Sequence, residues 1–367
     1  MSEKRKLASI QRVVAIDPIL NADRIVHATI IGWKCITAID NNIKVNDLVI
    51  YIEIDSRVNS EDHRFSFLDK RNFKVKTLKM KNVYSQGLIM PLKDFPEIKN
   101  PVEGVDVTEL LKITKIETDE PGECSPSHEK QGKLDRFLCK FSWYRKIRPI
   151  FFPKKDKGWP SEIPHTDETR IQAIASKVMP YFLTKKWYIT TKIDGQSATY
   201  YYKKKTIGKD FFGIYSRELR KREDDTCSWS RIAKEKDLKT KLGRYGKSIW
   251  IQGEIAGPGI QKNKNKFKEL RFFVFNIYIV DEKRYMTPRE MITFCSANGL
   301  DMVPLLQNDI SLEGKTIDDL VTMSKGISEW SPEDLREGIV IREMDNYNIS
   351  RISFKVINPD FLIKYNV

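Results

Sequence analysis

Residues 187 to 202 read WYITTKIDGQSATYYY, and the fold turns on how that stretch is understood. Trp187 to Thr191 are aromatic or mostly β-branched and run as a strand into Lys192. Ile193, Asp194 and Gly195 then turn the chain, and a second strand ends in Tyr200, Tyr201 and Tyr202. Lys192 therefore stands at a strand end. A lysine so placed is desolvated by the sheet while its amine faces a cleft, and desolvation or a neighbouring cation makes an amine nucleophilic near neutral pH. Read alone, Lys-x-Asp-Gly equally describes a hairpin turn carrying a solvated lysine. Its company further along decides between them.

Downstream, functional groups recur at strand ends. The run FGIY leads into Ser216-Arg217, which unaided is also a solvated basic turn. SIWIQGEIAGPGIQKNKNK, from Ser248 to Lys266, ends a strand on Gly253-Glu254 before a glycine-proline loop, where a carboxylate suits a cation or a sugar hydroxyl. RFFVFNIYIV, from Arg271 to Val280, is a near-continuous apolar strand; Phe275 is core there, or an aromatic able to stack on a base. Thr287-Pro288-Arg289-Glu290 is a capping box with proline in the first turn, and Gly299 closes that helix. Ser331-Pro332-Glu333-Asp334 predicts another short helix. Glu337-Gly338 sets a second carboxylate before a buried strand, and Arg351 to Val356 brings in Lys355 on a last one.

Upstream, residues 7 to 111 hold short strand-like runs at Arg12-Ile16, Val26-Ile31, Cys35-Ile39, Leu48-Ile54, Phe73-Lys79 and Gly87-Pro91, a pattern that predicts a small β-barrel. In RNFKVKTLKMKNVYSQG the cations fall at mostly alternate positions, so Lys74 and Lys76 share one sheet face. That face either keeps a barrel edge soluble or tracks a nucleic-acid backbone. Glu117 to Lys133 reads as linker, and the basic, aromatic stretch KFSWYRKIRPIFFPKKDKGWP after it as a lid or surface segment. Asp167 to Leu183 has helical periodicity through Ile171, Ile174, Ala175, Val178 and Phe182, and this helix is expected to pack behind the Lys192 strand.

The 367 residues carry 64 Lys+Arg against 50 Asp+Glu, a net charge of +14. A polyanion is the leading partner class. Fourteen tyrosines and seven tryptophans accompany the charge, a mixture that suits nucleic acid, where phosphates pair and bases stack. No apolar run is long enough to span a membrane and the N-terminus has no apolar leader, so the chain reads as soluble and intracellular, with monomer as the default. Five scattered cysteines fit free thiols in a reducing compartment. Cys124, His128 and Cys139 lie close in sequence, but their spacing matches no zinc finger.

Lysine strand, Ser-Arg, Gly-Glu, aromatic-Asn, Glu-Gly and a last lysine, in that order, resemble the covalent nucleotidyltransferase superfamily of ligases and RNA capping enzymes. NADRIVHATIIGWKCI, DLVIYIEIDS, FKVKTLKMKNVYSQGLIMPL, IPHTDETRIQ, GEIAGPGIQKNK and SFKVIN narrow the likeness to RNA ligases that carry an OB domain before the nucleotidyltransferase module, as in the amoeboflagellate Naegleria. The resemblance implies an α+β chain: an OB-type β-barrel over 1–111 that binds RNA, a linker or lid over 112–155, and over 156–367 an ATP-grasp-like ligase domain of antiparallel sheets with flanking helices.

It implies ATP-dependent RNA ligation. Lys192 would attack the α-phosphorus of ATP and carry AMP, which moves to an RNA 5′-phosphate and is displaced by a 3′-OH. Lys355 would assist catalysis and hold nucleotide phosphate. Asp194, Glu254 and Glu337 would hold Mg²⁺ or Mn²⁺, largely through its waters, or the ribose. Thr191, Ile193 and Phe275 would line the adenine pocket, Phe275 by stacking, and Arg217 would contact the ribose or the RNA end. Lys74 and Lys76 would grip RNA, as a nicked duplex or as broken ends. Many superfamily members have two lysines at alternate positions in the last motif; here Ser353 takes the first place, with Arg351 on the same face as a substitute. DNA ligases and capping enzymes continue into a further OB domain after that lysine, whereas this sequence stops at Val367, which favours end-joining over capping. A GTP-dependent capping guanylyltransferase and a non-catalytic RNA-binding protein on a ligase scaffold are the alternatives.

Overall fold

The computed structural model describes residues 5–116, 159–160, 162–164, 167–217, 219–223 and 226–366. Cys124, His128, Cys139 and most of the expected linker and lid lie outside them. In the N-terminal module, strand Ala8–Pro18 serves two partners: residues 8–12 pair with Leu48–Ile52 and residues 13–18 with Ile25–Ile30. The register shift between Val13 and Ala15 is the bulge that bends the strand from one partner to the other. With Trp33–Ala38 and Leu88–Pro91 these make a five-stranded antiparallel sheet, the half-barrel of an OB fold.

Both faces of this sheet are apolar. Ile50 and Ile52 point into the module's own core with Ile10, Phe65 and Phe95. Their neighbours Val49 and Tyr51 join a second cluster with Trp33 and Ile89. The continuous run LVIYI is therefore a doubly buried strand, which strict apolar-polar alternation would not give.

The expected strand Phe73–Lys79 is broken in two. Lys74–Val75 pairs with Ser56–Arg57, and Leu78–Met80 forms a separate hairpin with Val83–Ser85. Lys76 lies between the two ladders, so it shares no sheet face with Lys74.

The C-terminal module is built on two further sheets. One is four-stranded, in the order Leu305–Ser311, Lys186–Lys192, Gly338–Glu343, Ser353–Ile357, with every pairing antiparallel. The other, seven-stranded, centres on Gln196–Lys203, Ile249–Ala256 and Arg271–Ile279. The expected helix behind the Lys192 strand is present, as an α-helix over Ile171–Val178 and a 3-10 turn over Met179–Leu183. Pro180 has no N–H to continue the α ladder, so the last turn tightens. Ile171, Val178 and Phe182 pack against Trp187 and Ile189, the rear-facing residues of the Lys192 strand. The helix Pro288–Asn298 has its capping box and Gly299 in the left-handed conformation, as expected. Ser331–Asp334 forms only a turn: the Ser331 hydroxyl donates to Asp334 (2.6 Å), whose carboxylate also accepts from Tyr365 (2.8 Å) and is thereby drawn to the C-terminal helix Pro359–Tyr365.

That helix joins the two modules. Ile357, Phe361 and Leu362 belong to one buried cluster with Trp33, Cys35, Val49 and Tyr51 of the OB sheet. Ion pairs flank it, Lys325 to Asp360 (3.3 Å) and Arg170 to Asp55 (3.1 Å). Gly32 sits where a Cβ would meet the Gln172 carbonyl oxygen at 2.8 Å. The OB module is thus packed directly beneath the last strand of the four-stranded sheet.

Candidate active site

Lys192 and Gln196 end and begin strands of different sheets, so Ile193, Asp194 and Gly195 form a crossing between two layers. The hairpin reading of Lys-x-Asp-Gly is excluded. Gly195 is required by this crossing: a Cβ there would lie 2.3 Å from the Ile255 carbonyl oxygen and 2.8 Å from Glu254 Cγ. The crossing therefore lies flush against the strand that carries Glu254. Residues from both sheets meet around one amine.

The Lys192 Nζ lies 2.8 Å from each Glu337 oxygen, because Lys192 pairs in register with Gly338 and so faces the residue before it. Burial disfavours its ammonium, yet Glu337, Glu254 and Asp194 outweigh that and hold its pKa above the usual lysine value. Asp194 is in turn ion-paired with Lys264. Burial first, and Glu337 second, push the Asp194 carboxyl up to about 6, against the pull of Lys264 and Lys192.

Lys355 pairs with Val340 on the far side of the Lys192–Gly338 register. Its pKa falls to about 7, first through burial and then through the positive charges of Lys192 and Arg170. A nearby anion would favour its ammonium form.

Around this charged centre, Ile193 is buried with Ala256, Phe267, Phe273 and Val303, and Phe275 packs at the margin of that cluster. The ring of Phe275 is half-buried and 5.7 Å from the guanidinium of Arg342. Thr191 is buried, its hydroxyl donating to Glu329 (2.9 Å) and its N–H to the Pro304 carbonyl (3.0 Å). Arg217 is exposed and paired with Asp167. Ser353 and Arg351 are both half-buried, and Arg351 donates to Asn276 (2.7 Å) and to Tyr188 (3.0 Å). Lys74 and Lys76 stand apart from this group, Lys76 donating to the backbone carbonyl of Asn366 (2.5 Å) at the end of the C-terminal helix.

Three charged residues at the site were not singled out from the sequence. Lys264 lies in the glycine-proline loop after Glu254. Arg170 is bridged through its backbone to Lys355 and reaches Asp55 and the Trp33 ring at 5.8 Å. Arg342, 2 % exposed, donates to Thr190 (3.0 Å) and pairs with Glu168 (3.3 Å). Arg170 sits in the motif IPHTDETRIQ and Lys264 is the last residue of GEIAGPGIQKNK, but nothing in one-dimensional spacing says that a loop lysine folds back on Asp194.

Among the described residues no three His, Cys, Asp or Glu side chains stand close enough to ligate a metal ion directly. The donor set still fits a hard divalent cation held through its waters: Asp194 and Glu337 each already hold a positive group, the ammonium of Lys264 and that of Lys192. Those ammoniums stand in for the charge a hydrated cation would bring.

Comparison with known proteins points the same way. The OB-fold domain profile matches residues 7–92, and the RNA ligase family profile matches residues 185–357. No curated protein matches the sequence. Among solved structures, an RNA ligase of Naegleria gruberi with PPi superposes with a TM-score of 0.78 at 28% identity, over 99% of this chain and 99% of that one. Mutant forms of that ligase with AMP and Mn and with ATP and Mn superpose with TM-scores of 0.77 and 0.76, at 29% and 28% identity, each over 98% of this chain and 99% of that one.

Proposed function

The chain belongs to the RNA ligase family, and from that premise we propose that it joins RNA 3′-OH and 5′-phosphate ends with ATP through an adenylate carried on Lys192. The supporting observation is the meeting of Lys192, Glu337 and Asp194 where the two sheets come together, with Lys355 within electrostatic reach of Lys192 and Glu337. A 5′-phosphate needs a leaving group, because phosphate oxygen leaves poorly. The Lys192 amine attacks the α-phosphorus of ATP; the N–P bond forms, the bond to the β-phosphate oxygen breaks, pyrophosphate departs and the amine's proton goes to solvent. AMP then passes to the RNA 5′-phosphate and is expelled when the 3′-OH attacks.

The residues divide the work by charge. Asp194, Glu254 and Glu337 would hold a Mg²⁺ or Mn²⁺ ion, largely through its waters, and the ion would supply charge that shields phosphate and weakens the amine's hold on its proton. Lys355 faces the phosphates as a cation once they are bound. Phe275, backed by Arg342, stacks on adenine, Ile193 and Thr191 close the base pocket, and exposed Arg217 reaches the ribose or the RNA end. Lys74 of the OB module grips RNA, and Lys76, engaged with Asn366 beside the C-terminal helix, contributes less.

Intact mass after incubation with ATP and a divalent metal tests the reading, with GTP in parallel. A gain of one AMP, reversed by pyrophosphate and absent in Lys192→Ala, is expected. A gain with GTP alone would make the chain a capping enzyme. No gain, from protein whose starting mass shows it free of AMP, would leave a binding protein on a ligase scaffold.

A further inference from the structure

Lys264 has no task in the scheme above, yet its ammonium stands at the centre of the site's charge. Its side chain is 7% exposed and ion-paired with Asp194, itself 15% exposed. The same Nζ lies 5.3 Å from the ring centre of Phe361 and 5.8 Å from that of Tyr365, both on the C-terminal helix.

The loop that delivers it is specially built. Gln261, Lys262 and Asn263 take left-handed backbone, with φ of 43°, 60° and 46°. Asn263 braces the turn from both sides of its amide, donating to the Phe267 carbonyl (2.8 Å) and accepting from the Phe267 N–H (3.0 Å). Asn265 accepts from Ser328 (2.9 Å) and ties the loop to the segment before Glu337. Strained backbone held this firmly aims the lysine inward.

We propose that Lys264 is a positioning residue that competes with the divalent cation for Asp194: it neutralises the carboxylate while the site is empty and gives it up when the cation arrives, keeping only its contact with the Phe361 and Tyr365 rings. The proposal rests on the reading of Asp194 as a holder of the cation's waters. Two positive charges at one part-buried carboxylate repel strongly, so ammonium and cation exclude each other there. The two rings already lie within cation-π distance of the ammonium and continue to hold it once the carboxylate is lost. A bare cation would then bind weakly, whereas one carried by the ATP polyphosphate brings the negative charge that offsets Lys264. Metal and nucleotide are admitted together.

The test is a Mn²⁺ titration of the full, nucleotide-free chain, with free Mn²⁺ read by electron paramagnetic resonance. Lys264→Met should bind Mn²⁺ about tenfold more tightly than the parent, with Lys264→Gln as a second uncharged form should the first not fold, while Lys264→Arg should keep the weak affinity. The gain should vanish in Asp194→Asn, where Lys264→Met and its parent bind alike. Equal or weaker Mn²⁺ binding by folded Lys264→Met, or a gain that survives Asp194→Asn, overturns the proposal. Lysyl-AMP formation by the parent chain, measured separately, keeps that failure distinct from failure of the ligase reading.

Discussion

The Lys192 ammonium and the Glu337 carboxylate face each other at 2.8 Å, and Glu337 precedes the residue that pairs in register with Lys192. The proposed nucleophile and the carboxylate beside it are thus fixed by the same two strands. With Glu337, Glu254 and Asp194 raising its pKa above the usual value, Lys192 stays protonated at neutral pH until carboxylate charge is neutralised. At limiting Mg²⁺ the single-turnover rate of lysyl-AMP formation should therefore climb with pH, by about tenfold per unit on its acid limb. Saturating Mg²⁺ should move that limb to lower pH. An acid limb at the same pH under both conditions would show that the metal does not free the amine.

Lys355 makes an opposite prediction. Its pKa near 7 lies below the ordinary lysine value through burial and the charges of Lys192 and Arg170. Phosphate favours the ammonium, so ATP binding should take up a proton and affinity should fall as pH rises above about 7, which calorimetry in buffers of different ionisation enthalpy reads directly. Linkage fixes the sign for stability as well. The unfolded lysine binds its proton more tightly than the folded one, so the cost is complete below about pH 7 and is relieved as pH rises toward the ordinary value of 10.5. Lys355→Met should abolish sealing and raise Tm at pH 6 to 7 by roughly 2 °C or more. An unchanged or lower Tm would contradict the picture of a functional group held at a cost to stability.

Much of this was legible in the sequence because strands present their functional groups at their ends. Lys192, Glu337 and Lys355 lie at or beside strand positions that the apolar runs mark out. The capping box at Thr287 is likewise local chemistry, and it is present in the fold. What the sequence withheld depends on contacts between distant segments. Lys-x-Asp-Gly has hairpin chemistry, and only the separation of the two sheets shows it as a crossing. Phe73 to Lys79 alternates like one strand, yet its two ends find different partners. The seating of Lys264 on Asp194 is set by a loop closing over 70 residues of chain, which no period encodes.

Gly195 is the tightest point of that crossing. An added methyl would lie 2.3 Å from the Ile255 carbonyl oxygen and 2.8 Å from Glu254 Cγ, and neither backbone nor active-site carboxylate can yield without moving the site. Gly195→Ala should lower the rate of lysyl-AMP formation by about 10²-fold if the protein folds, since displacements near 1 Å cost that much. Near-parental adenylylation would mean that the crossing tolerates a shift of the Glu254 strand.

Substitutions at Lys74 and Lys76 distinguish an RNA surface on the OB module from the domain junction. Lys76 is engaged with Asn366, whereas no described partner holds the Lys74 ammonium. Lys74→Ala should weaken RNA binding and flatten the dependence of log affinity on log salt by about 0.7 to 0.9 for each phosphate the variant no longer neutralises. Lys76→Ala should flatten it less and lower Tm as well. An unchanged slope in the double variant would move the RNA surface elsewhere.

The buried cluster that joins Phe361 and Leu362 to Trp33 and Tyr51 predicts how the whole chain unfolds. Two modules linked by a polar interface melt separately, whereas modules that share one apolar core lose it together. Phe361 is 3% exposed and packs against both the OB sheet and, through its ring, the Lys264 ammonium. Phe361→Ala should cost about 3 to 5 kcal/mol, the usual penalty for emptying a buried aromatic site. If the core is common, that loss should lower the midpoint seen by a tryptophan probe in the OB module, Trp33, as much as the one seen by Trp250 in the seven-stranded sheet. A midpoint that moves for only one probe would show the modules unfolding independently, and the OB domain would then be free to move on the ligase module rather than form a fixed floor beneath Lys355.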